Sequence, residues 1–355
     1  MKMRAPAYPL ATVDPYLNLW SMTDRLTDEM PKHWTGRDHS LAGLAEIDGK
    51  TFCFMGDAKR LGLPPMEQVG LEWDAFHTVY QFQAAGVRLT ADFFTPLLME
   101  DLELLSRPVS YLRVTVSQLD GGEHQVVVTL RASEELCVDD NRAADMGIGL
   151  VHREPVPLEG LAAMRMGSLE QRVLGKSGDN VRIDWGYLYL CVDGESASFA
   201  EEWERMACIS TRTVLHTGGT TAMLAVLAYD DVDALLYFGQ HVPAYWKRNG
   251  KTIQQAVREG YAQYEELNAR CAAFAKTLRK DAVEAGGEEY AQLLELSYRQ
   301  VLAAHKLAVD PEGKLLYVSK ECFSGGFAAT ADVSYPSIPL FLLYRPELVE
   351  GMMSP

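Results

Sequence analysis

The sequence predicts a large antiparallel β domain followed by a helical segment, and three observations predict it. Between about residue 50 and residue 230 apolar and polar residues alternate with a period of two, the signature of strands with one buried face. Glycine and aspartate pairs interrupt that pattern at short intervals, as turns between antiparallel strands do. Beyond residue 232 the apolar spacing changes to steps of three and four, the period of an amphipathic helix. A chain of 355 residues, at roughly 150 residues per domain, suits two domains or one large domain plus part of another. The boundary falls at the change of period, giving units 1–230 and 231–355.

Within the first unit, Val79–Gln83 and Val87–Phe94 read as a hairpin around Ala85 and Gly86. Ser110–Ser117 and Gln125–Ala132 are joined by the turn Asp120-Gly121-Gly122, and Val181–Val192 reads as a long strand closed by Asp193-Gly194. Thr211–His216 and Ala222–Tyr229 flank Gly218-Gly219. Many short strands between such turns imply an antiparallel sandwich or a large barrel. In the second unit, Ile253, Val257, Tyr261, Tyr264, Leu267, Cys271, Phe274 and Leu278 mark one face of a long helix. Thr252 with Gln255 makes a capping box at its start, and Gly286-Gly287 ends it. A second helix is expected over 288–309, with Tyr290, Leu293, Leu294, Ser297, Val301, Ala304 and Ala308 inward and Asp310-Pro311-Glu312-Gly313 as its stop. Leu315–Val318 reads as extended, and Pro339–Tyr344 and Pro346–Met353 as helical turns with proline near each start.

Composition narrows the function classes. Apolar residues make up 48% and charged residues 23%, which fits a globular protein with a core and argues against disorder. A net charge of −16 without a basic stripe repels phosphate backbones and anionic lipid headgroups, so nucleic acid and membrane are not expected partners. Six cysteines lie far apart with no C-x-x-C pair, which predicts buried free thiols in a reducing compartment rather than a disulfide framework. No apolar run resembling a leader or a membrane span is present. A cytoplasmic location is the expectation.

Nucleotide-binding loops, H-E-x-x-H and G-x-S-x-G are absent from the sequence, which takes most of the weight from a nucleotide-binding or zinc-peptidase reading. Three segments concentrate chemistry-bearing residues. His33-Trp34-Thr35-Gly36-Arg37-Asp38-His39 offers Trp34 for stacking and Arg37 and Asp38 for hydrogen bonds to a substrate; the bland alternative is a β-domain loop that satisfies its own backbone. The two histidines match no usual metal-ligand spacing. Ala244–Gly250 alternates aromatic and basic residues, with Trp246 and Lys247 as substrate contacts or, more simply, as a domain-junction anchor. Lys320, Glu321 and Asp332 lie in a loop after a helix and a strand, a place where catalytic carboxylates tend to sit. Solvated or paired carboxylates are the alternative there, and a buried inert thiol is the simpler reading of Cys322.

Five stretches together, "PAYPLATVDPYLNLWS", "HWTG", "DHSLAGLAEIDGKTFCFMG", "AYDDVDALLYFGQHVPAYWKRNG" and "SKECFSGGFAATADVSYPSIPLFLLYRPELVEGMM", resemble the glutaminase A family of fungi and bacteria, in order and over nearly the whole chain. The resemblance implies an N-terminal β-sandwich followed by the start of an α/α toroid of the six-hairpin glycosidase type, with glutamine deamidation as the activity and no cofactor. It also implies that most of a toroid lies beyond residue 355, so the chain is expected to be a truncated product, a fragment or one that needs a partner. Family members tend to carry asparagines where this chain has Cys322 and Gly325, removing side chains that both donate and accept hydrogen bonds. Three functions compete. An amidohydrolase would use Glu321 or Asp332 as base, with Trp34 and Arg37 lining the pocket. A glycoside hydrolase would need a second carboxyl and would use Trp34 and Trp246 as sugar platforms. A non-catalytic module would bind a carbohydrate or a protein, or pair with its own copy through an exposed helical face.

Overall fold

The structure, a computed structural model, describes residues 3–139, 151–176, 181–193, 197–199, 206–320 and 327–355. Its centre is an eight-stranded antiparallel sheet in the order β10-β11-β12-β15-β8-β7-β6-β5. The strands are β5 (Glu67–Trp73), β6 (His77–Ala84), β7 (Val87–Phe94), β8 (Val109–Gln118), β10 (Val151–Pro155), β11 (Leu161–Ser168), β12 (Tyr187–Asp193) and β15 (Ala222–Asp230). A five-stranded sheet follows the order β13-β14-β9-β3-β4, from β3 (Leu41–Ile47), β4 (Lys50–Met55), β9 (Gln125–Ser133), β13 (Ala197–Phe199) and β14 (Cys208–His216).

Side-chain alternation explains how the layers stack. Leu112, Val114 and Val116 of β8, with Leu188, Leu190 and Leu227, share one apolar cluster with Ala45, Phe54, Val128 and Leu130 of the smaller sheet. Their sequence neighbours Val109, Tyr111, Tyr189, Cys191 and Val226 point the opposite way, into a second cluster with the helices. The eight-stranded sheet is therefore a middle layer, buried on both faces at its centre, which is why β15 reads as a continuous apolar run rather than an alternating one. Turn chemistry fixes the hairpins: β6 and β7 pair from His77↔Phe94 to Ala84↔Val87, with Ala85 and Gly86 both at positive φ, as the two-residue hairpin turn requires.

The two glycine-rich turns expected to close hairpins do something else. β8 and β9 lie in different sheets, and so do β14 and β15. Asp120-Gly121-Gly122 and Gly218-Gly219 carry the chain from one layer to the other. Residues 181–186 precede β12 rather than belonging to it; Trp185 there buries its ring and donates its indole N–H to the Asp231 carbonyl at 2.9 Å.

The helices cover the outer face of the large sheet. The capping box of Thr252 and Gln255 opens α2 (Ile253–Ala262), with the short α1 (Leu102–Ser106) preceding it in the chain. A break at Gln263 leads into α3 (Tyr264–Ala303), whose direction changes at Gly287 with φ of 82°. The inward face of α3 before that break is the expected one, through Tyr264, Leu267, Cys271 and Leu278. After it the expectation fails: Ala291, Glu295, Tyr298, Arg299 and Leu302 are buried, whereas Tyr290 and Leu293 are exposed. Tyr298 and Arg299 take inward positions because their polar ends find acceptors. The Tyr298 hydroxyl donates to the Leu97 carbonyl at 2.7 Å, and the Arg299 guanidinium donates to Thr78 Oγ1 at 2.9 Å and Thr12 Oγ1 at 3.2 Å.

The helix also ends earlier than its spacing suggests. Residues 305–309 form strand β18 (His305–Val309), paired antiparallel with β19 (Leu315–Ser319). The Ala304 carbonyl accepts from the Lys320 amide at 3.0 Å, so the backbone there continues the ladder. Asp310-Pro311-Glu312-Gly313 is the turn of this hairpin, with Asp310 Oδ1 accepting from the amides of Glu312 and Lys314 at 2.9 and 2.8 Å. Two helices follow, α4 (Ala331–Tyr344) and α5 (Pro346–Met353). At the N-terminus, β1 (Tyr8–Thr12) and β2 (Asn18–Ser21) form a separate hairpin, and β16 (Leu235–Tyr237) pairs with β17 (Gln240–Val242). The five described cysteines are free and buried. Among the described residues no helix is long and apolar enough to cross a membrane.

Candidate functional site

The loop His33–His39 is built around buried polar groups. Gly36, at φ of 82°, closes a turn in which its amide donates to the His33 carbonyl at 2.9 Å. Asn18 is the hub beneath it: its amide group donates to the carbonyls of Asp14 and Pro15 at 3.2 and 3.1 Å, and its carbonyl oxygen accepts from the Trp34 amide and the Trp20 indole, each at 3.2 Å. His33 Nδ1 lies 3.0 Å from Thr35 Oγ1 and 3.3 Å from the Thr35 amide, and Nε2 lies 3.0 Å from the Asn18 side-chain amide nitrogen and 3.1 Å from the Pro15 carbonyl. Burial lowers the pKa of His33 to about 4, assisted by the nearby Arg182 charge and opposed by the Pro15 hydrogen bond. His39, with its ring centroid 5.0 Å from that of His33, is pushed well below the ordinary histidine value by the same desolvation. Both histidines are therefore neutral structural groups. Trp34 is half-buried, Arg37 is exposed, and Asp38 pairs with Arg60 at 3.2 Å while its carbonyl accepts from Arg182 at 2.8 Å.

Trp246 and Lys247 correct the expectation of substrate contacts. Trp246 is 1% exposed and belongs to the cluster between sheet and helices, so no sugar or amide reaches its ring face. Lys247 is ion-paired with Asp230 and donates to the Val232 carbonyl at 2.9 Å. The segment is a junction anchor: its aromatic part fills the second core and its cation holds the end of β15.

Glu321, Cys322 and Gly325 lie outside the described residues. Asp332 stands exposed in the first turn of α4, where a carboxylate complements the helix dipole. Lys320 bridges to Ala328 through the backbone, and Ser319 and Ser334 hydroxyls lie 3.3 Å apart behind it. Among the described residues the hydrogen bonds of the His33–His39 loop run to Pro15, β2, Arg60 and Arg182.

Sequence reasoning missed a cluster of buried charges. Lys306, 4% exposed, ion-pairs with Asp14 and lies 2.7 Å from Asp231. Burial opposes its charge, but the two carboxylates outweigh that and hold its pKa above the ordinary lysine value. The trio ties the loop after β1, the end of β15 and β18 into one knot. Nearby, His305 donates from Nδ1 to the Val301 carbonyl at 2.7 Å and stacks on Tyr317 with 4.6 Å between centroids; burial lowers its pKa to about 4. The space beside the knot holds about 10 Å³, too little for a substrate. Two open clefts are larger: one of about 630 Å³ bordered by Arg25, Asp28, Asp57, Lys59 and Glu67, and one of about 310 Å³ where α2 meets the large sheet. Among the described residues no group of His, Cys, Asp or Glu side chains is arranged to hold a metal ion. Burial pushes the thiols of Cys53 and Cys191 up to about 12, which removes them as nucleophiles.

Three family models follow one another along the chain. "Domain of unknown function (DUF4964)" matches residues 1–66. "Domain of unknown function (DUF5127)" matches 76–214 and 193–281, together more than half of the chain. "Glutaminase A six helical-hairpin domain" matches 287–355. Among curated proteins, "Glutaminase A" of Aspergillus oryzae is 26% identical over an alignment taking in 99% of this chain and 56% of its own length. A protein of Arthroderma benhamiae provisionally named a glutaminase is 23% identical, over 98% of this chain and 46% of its own. The chain thus spans about half the length of the curated relatives it matches. A solved structure from human microbiome, provisionally named a kojibiose phosphorylase, overlays 86% of this chain and 34% of its own at 7% identity and a TM-score of 0.40, a likeness too weak to argue from. The alignments with the two relatives run nearly end to end through this chain, and the three models stand in sequence from residue 1 to residue 355: the chain is a homologue of glutaminase A and belongs to the domain family DUF5127, which takes in more than half of it.

Proposed function

We propose that the chain is the part of a glutaminase-type amide hydrolase that carries its carboxylates on the segment 320–332, with the two facing sheets read as a β-sandwich and residues 231–355 as the start of an α/α toroid. The observation that carries the reading is the outer face of α4. Tyr335 is 77% and Leu343 68% exposed on the helix whose first turn holds Asp332, so the carboxylate stands beside an apolar surface suited to being covered. Covering it, by further chain or by a second copy, would take Asp332 out of water, the environment in which carboxylates serve as general bases. One carboxylate would take a proton from the attacking water as its oxygen adds to the side-chain amide carbon. Collapse of the tetrahedral adduct would then release ammonia after protonation of the nitrogen. Lys320 would stand beside that site, and Trp34, Arg37 and Asp38 would belong to a separate binding surface. The names of the two curated relatives favour glutamine as substrate.

The test is ammonia release from L-glutamine, run beside a panel of aryl glycosides. Release that disappears in Asp332→Asn and Glu321→Gln and survives in Asp28→Asn supports the reading. Aryl-glycoside cleavage without ammonia release moves the chemistry to a glycoside hydrolase. No ammonia, either from this chain or from one lengthened to the span of its curated relatives, overturns it.

A further inference from the structure

The cleft of about 310 Å³ at the start of the helical segment has the construction of a ligand site, and no functional role considered so far uses it. Its floor is one row of cross-strand neighbours. Arg113 of β8 faces Leu224 of β15, and Val192 facing Ala225 puts Asp193, the next residue of β12, beside that same Leu224. Opposed residues of adjacent antiparallel strands point to the same face, here the face that the helices cover. The wall is the break between α2 and α3 at Gln263, which brings Tyr261, Tyr264 and Glu265 to the rim.

The polar groups are placed but not all satisfied. The Asp193 carboxylate accepts from the Leu224 amide at 2.9 Å, and burial raises its pKa above the ordinary carboxylate value. Tyr264 is 4% exposed, and its buried hydroxyl, with no hydrogen bond of good geometry, interacts with the Arg113 guanidinium. The Arg113 guanidinium lies 5.8 Å from the Tyr264 ring centroid and 3.1 Å from Glu265, so its charge is already answered.

Charge and shape together select the ligand class. An anion meets a chain of net charge −16 and an arginine already paired. A cation meets the Arg113 guanidinium, which already lies over the face of Tyr264. An apolar ligand would cover the remaining acceptor sites of Asp193 and the remaining N–H groups of Arg113 without offering either a hydrogen bond. A neutral ring with hydroxyls on its edge and C–H groups on its face satisfies all of them, and the volume lies at the lower end of small-molecule sites. We propose that this cleft binds a neutral monosaccharide unit, with Asp193 and Arg113 on its hydroxyls and Tyr261 against its ring.

Saturation-transfer NMR and calorimetry on the full chain test this with D-glucose, D-galactose and D-mannose, beside L-glutamine and D-glucuronate. At least one neutral sugar should bind with a dissociation constant of about millimolar, as about a dozen heavy atoms supply. Ala262→Trp, at an exposed position on the cleft wall, should abolish that binding with the thermal midpoint unchanged, and Tyr261→Ala should weaken it about tenfold. Absence of binding by all three neutral sugars overturns the proposal. So does binding that Ala262→Trp leaves intact, or binding of glutamine or glucuronate in place of the sugars. Ammonia release in Ala262→Trp equal to that of the parent chain keeps this result separate from the fate of the hydrolase reading.

Discussion

In the eight-stranded sheet apolar side chains leave water on both faces, Leu112 and Val114 toward the second sheet and Val109 and Tyr111 toward the helices. In α4 the order is inverted. Ser334, Ser337 and Phe341 face inward while Tyr335, Leu342 and Leu343 face solvent. The same helix holds Pro336 and Pro339 in its interior, each removing a helical hydrogen bond, so packing rather than propensity keeps it folded. The sheet is buried on both faces at its centre; α4 is apolar on a side that is exposed among the described residues. The same holds in milder form for α3 beyond Gly287, where Tyr290 and Leu293 are exposed opposite the buried Ala291 and Leu302. A helix meant to pack on two sides carries two apolar stripes, and period alone does not say which stripe meets the existing core.

The buried charges of the enclosed region should give the largest effect. Lys306→Met leaves Asp14 and Asp231 facing each other out of water and should cost about 3–5 kcal/mol, read as a lower urea midpoint. Adding Asp14→Asn and Asp231→Asn should recover part of that loss. A loss below about 1 kcal/mol would mean that the knot is wet and that the contrast with α4 is overdrawn. Phe341 makes the comparison within one helix. It is 0% exposed and packs on His305 and Tyr317 with ring centroids 5.4 and 5.2 Å away. Phe341→Ala should cost about 3–5 kcal/mol through cavity formation, by the same denaturation measurement.

Acid should loosen the enclosed region next. His33 and His305 have ordinary values of 6.5 that burial lowers to about 4, and His39 moves in the same direction. The folded state therefore binds fewer protons than the unfolded state between those two values. Stability is at its full value above pH 6.5 and falls as the pH drops toward 4, by up to about 3 kcal/mol for each of His33 and His305. Urea midpoints measured from pH 7.5 to 4.5 check this. His305→Phe should flatten part of the slope, and an unchanged slope would mean that His305 is hydrated.

Much of the β region was legible because turn residues and period two are local signals. The hairpin at Ala85-Gly86 and the capping box at Thr252 follow from neighbours in sequence. Partner choice was not local. Asp120-Gly121-Gly122 announces a reversal, yet whether the next strand joins the same sheet or the facing one depends on which layer has an open edge. Lys306 was hidden for a related reason: His305–Val309 carries apolar residues that suit a helix as well as a strand, and its two carboxylate partners lie 75 and 292 positions away. Within the candidate site, the clustering of His33 and His39 was visible as a motif. Their neutrality follows from burial that only the fold supplies, and Trp246 looked like a platform because aromatic and basic neighbours look alike at a junction and at a binding face.

The smallest effect on stability is the one that tests the inverted helix most directly. Leu343 is 68% exposed two positions from Phe341, so Leu343→Glu should shift the urea midpoint by no more than about 0.5 kcal/mol. If the outer face of α4 meets a second copy, the same change places a charge in an apolar contact, and sedimentation at increasing concentration should show the parent associating and the variant remaining monomeric. If the parent is already monomeric and the variant is as stable, the face waits for other chain. A large destabilisation would instead place Leu343 inside the fold and remove the difference between α4 and the sheet, because burial in the existing core is the one arrangement in which a single carboxylate at that position costs several kcal/mol.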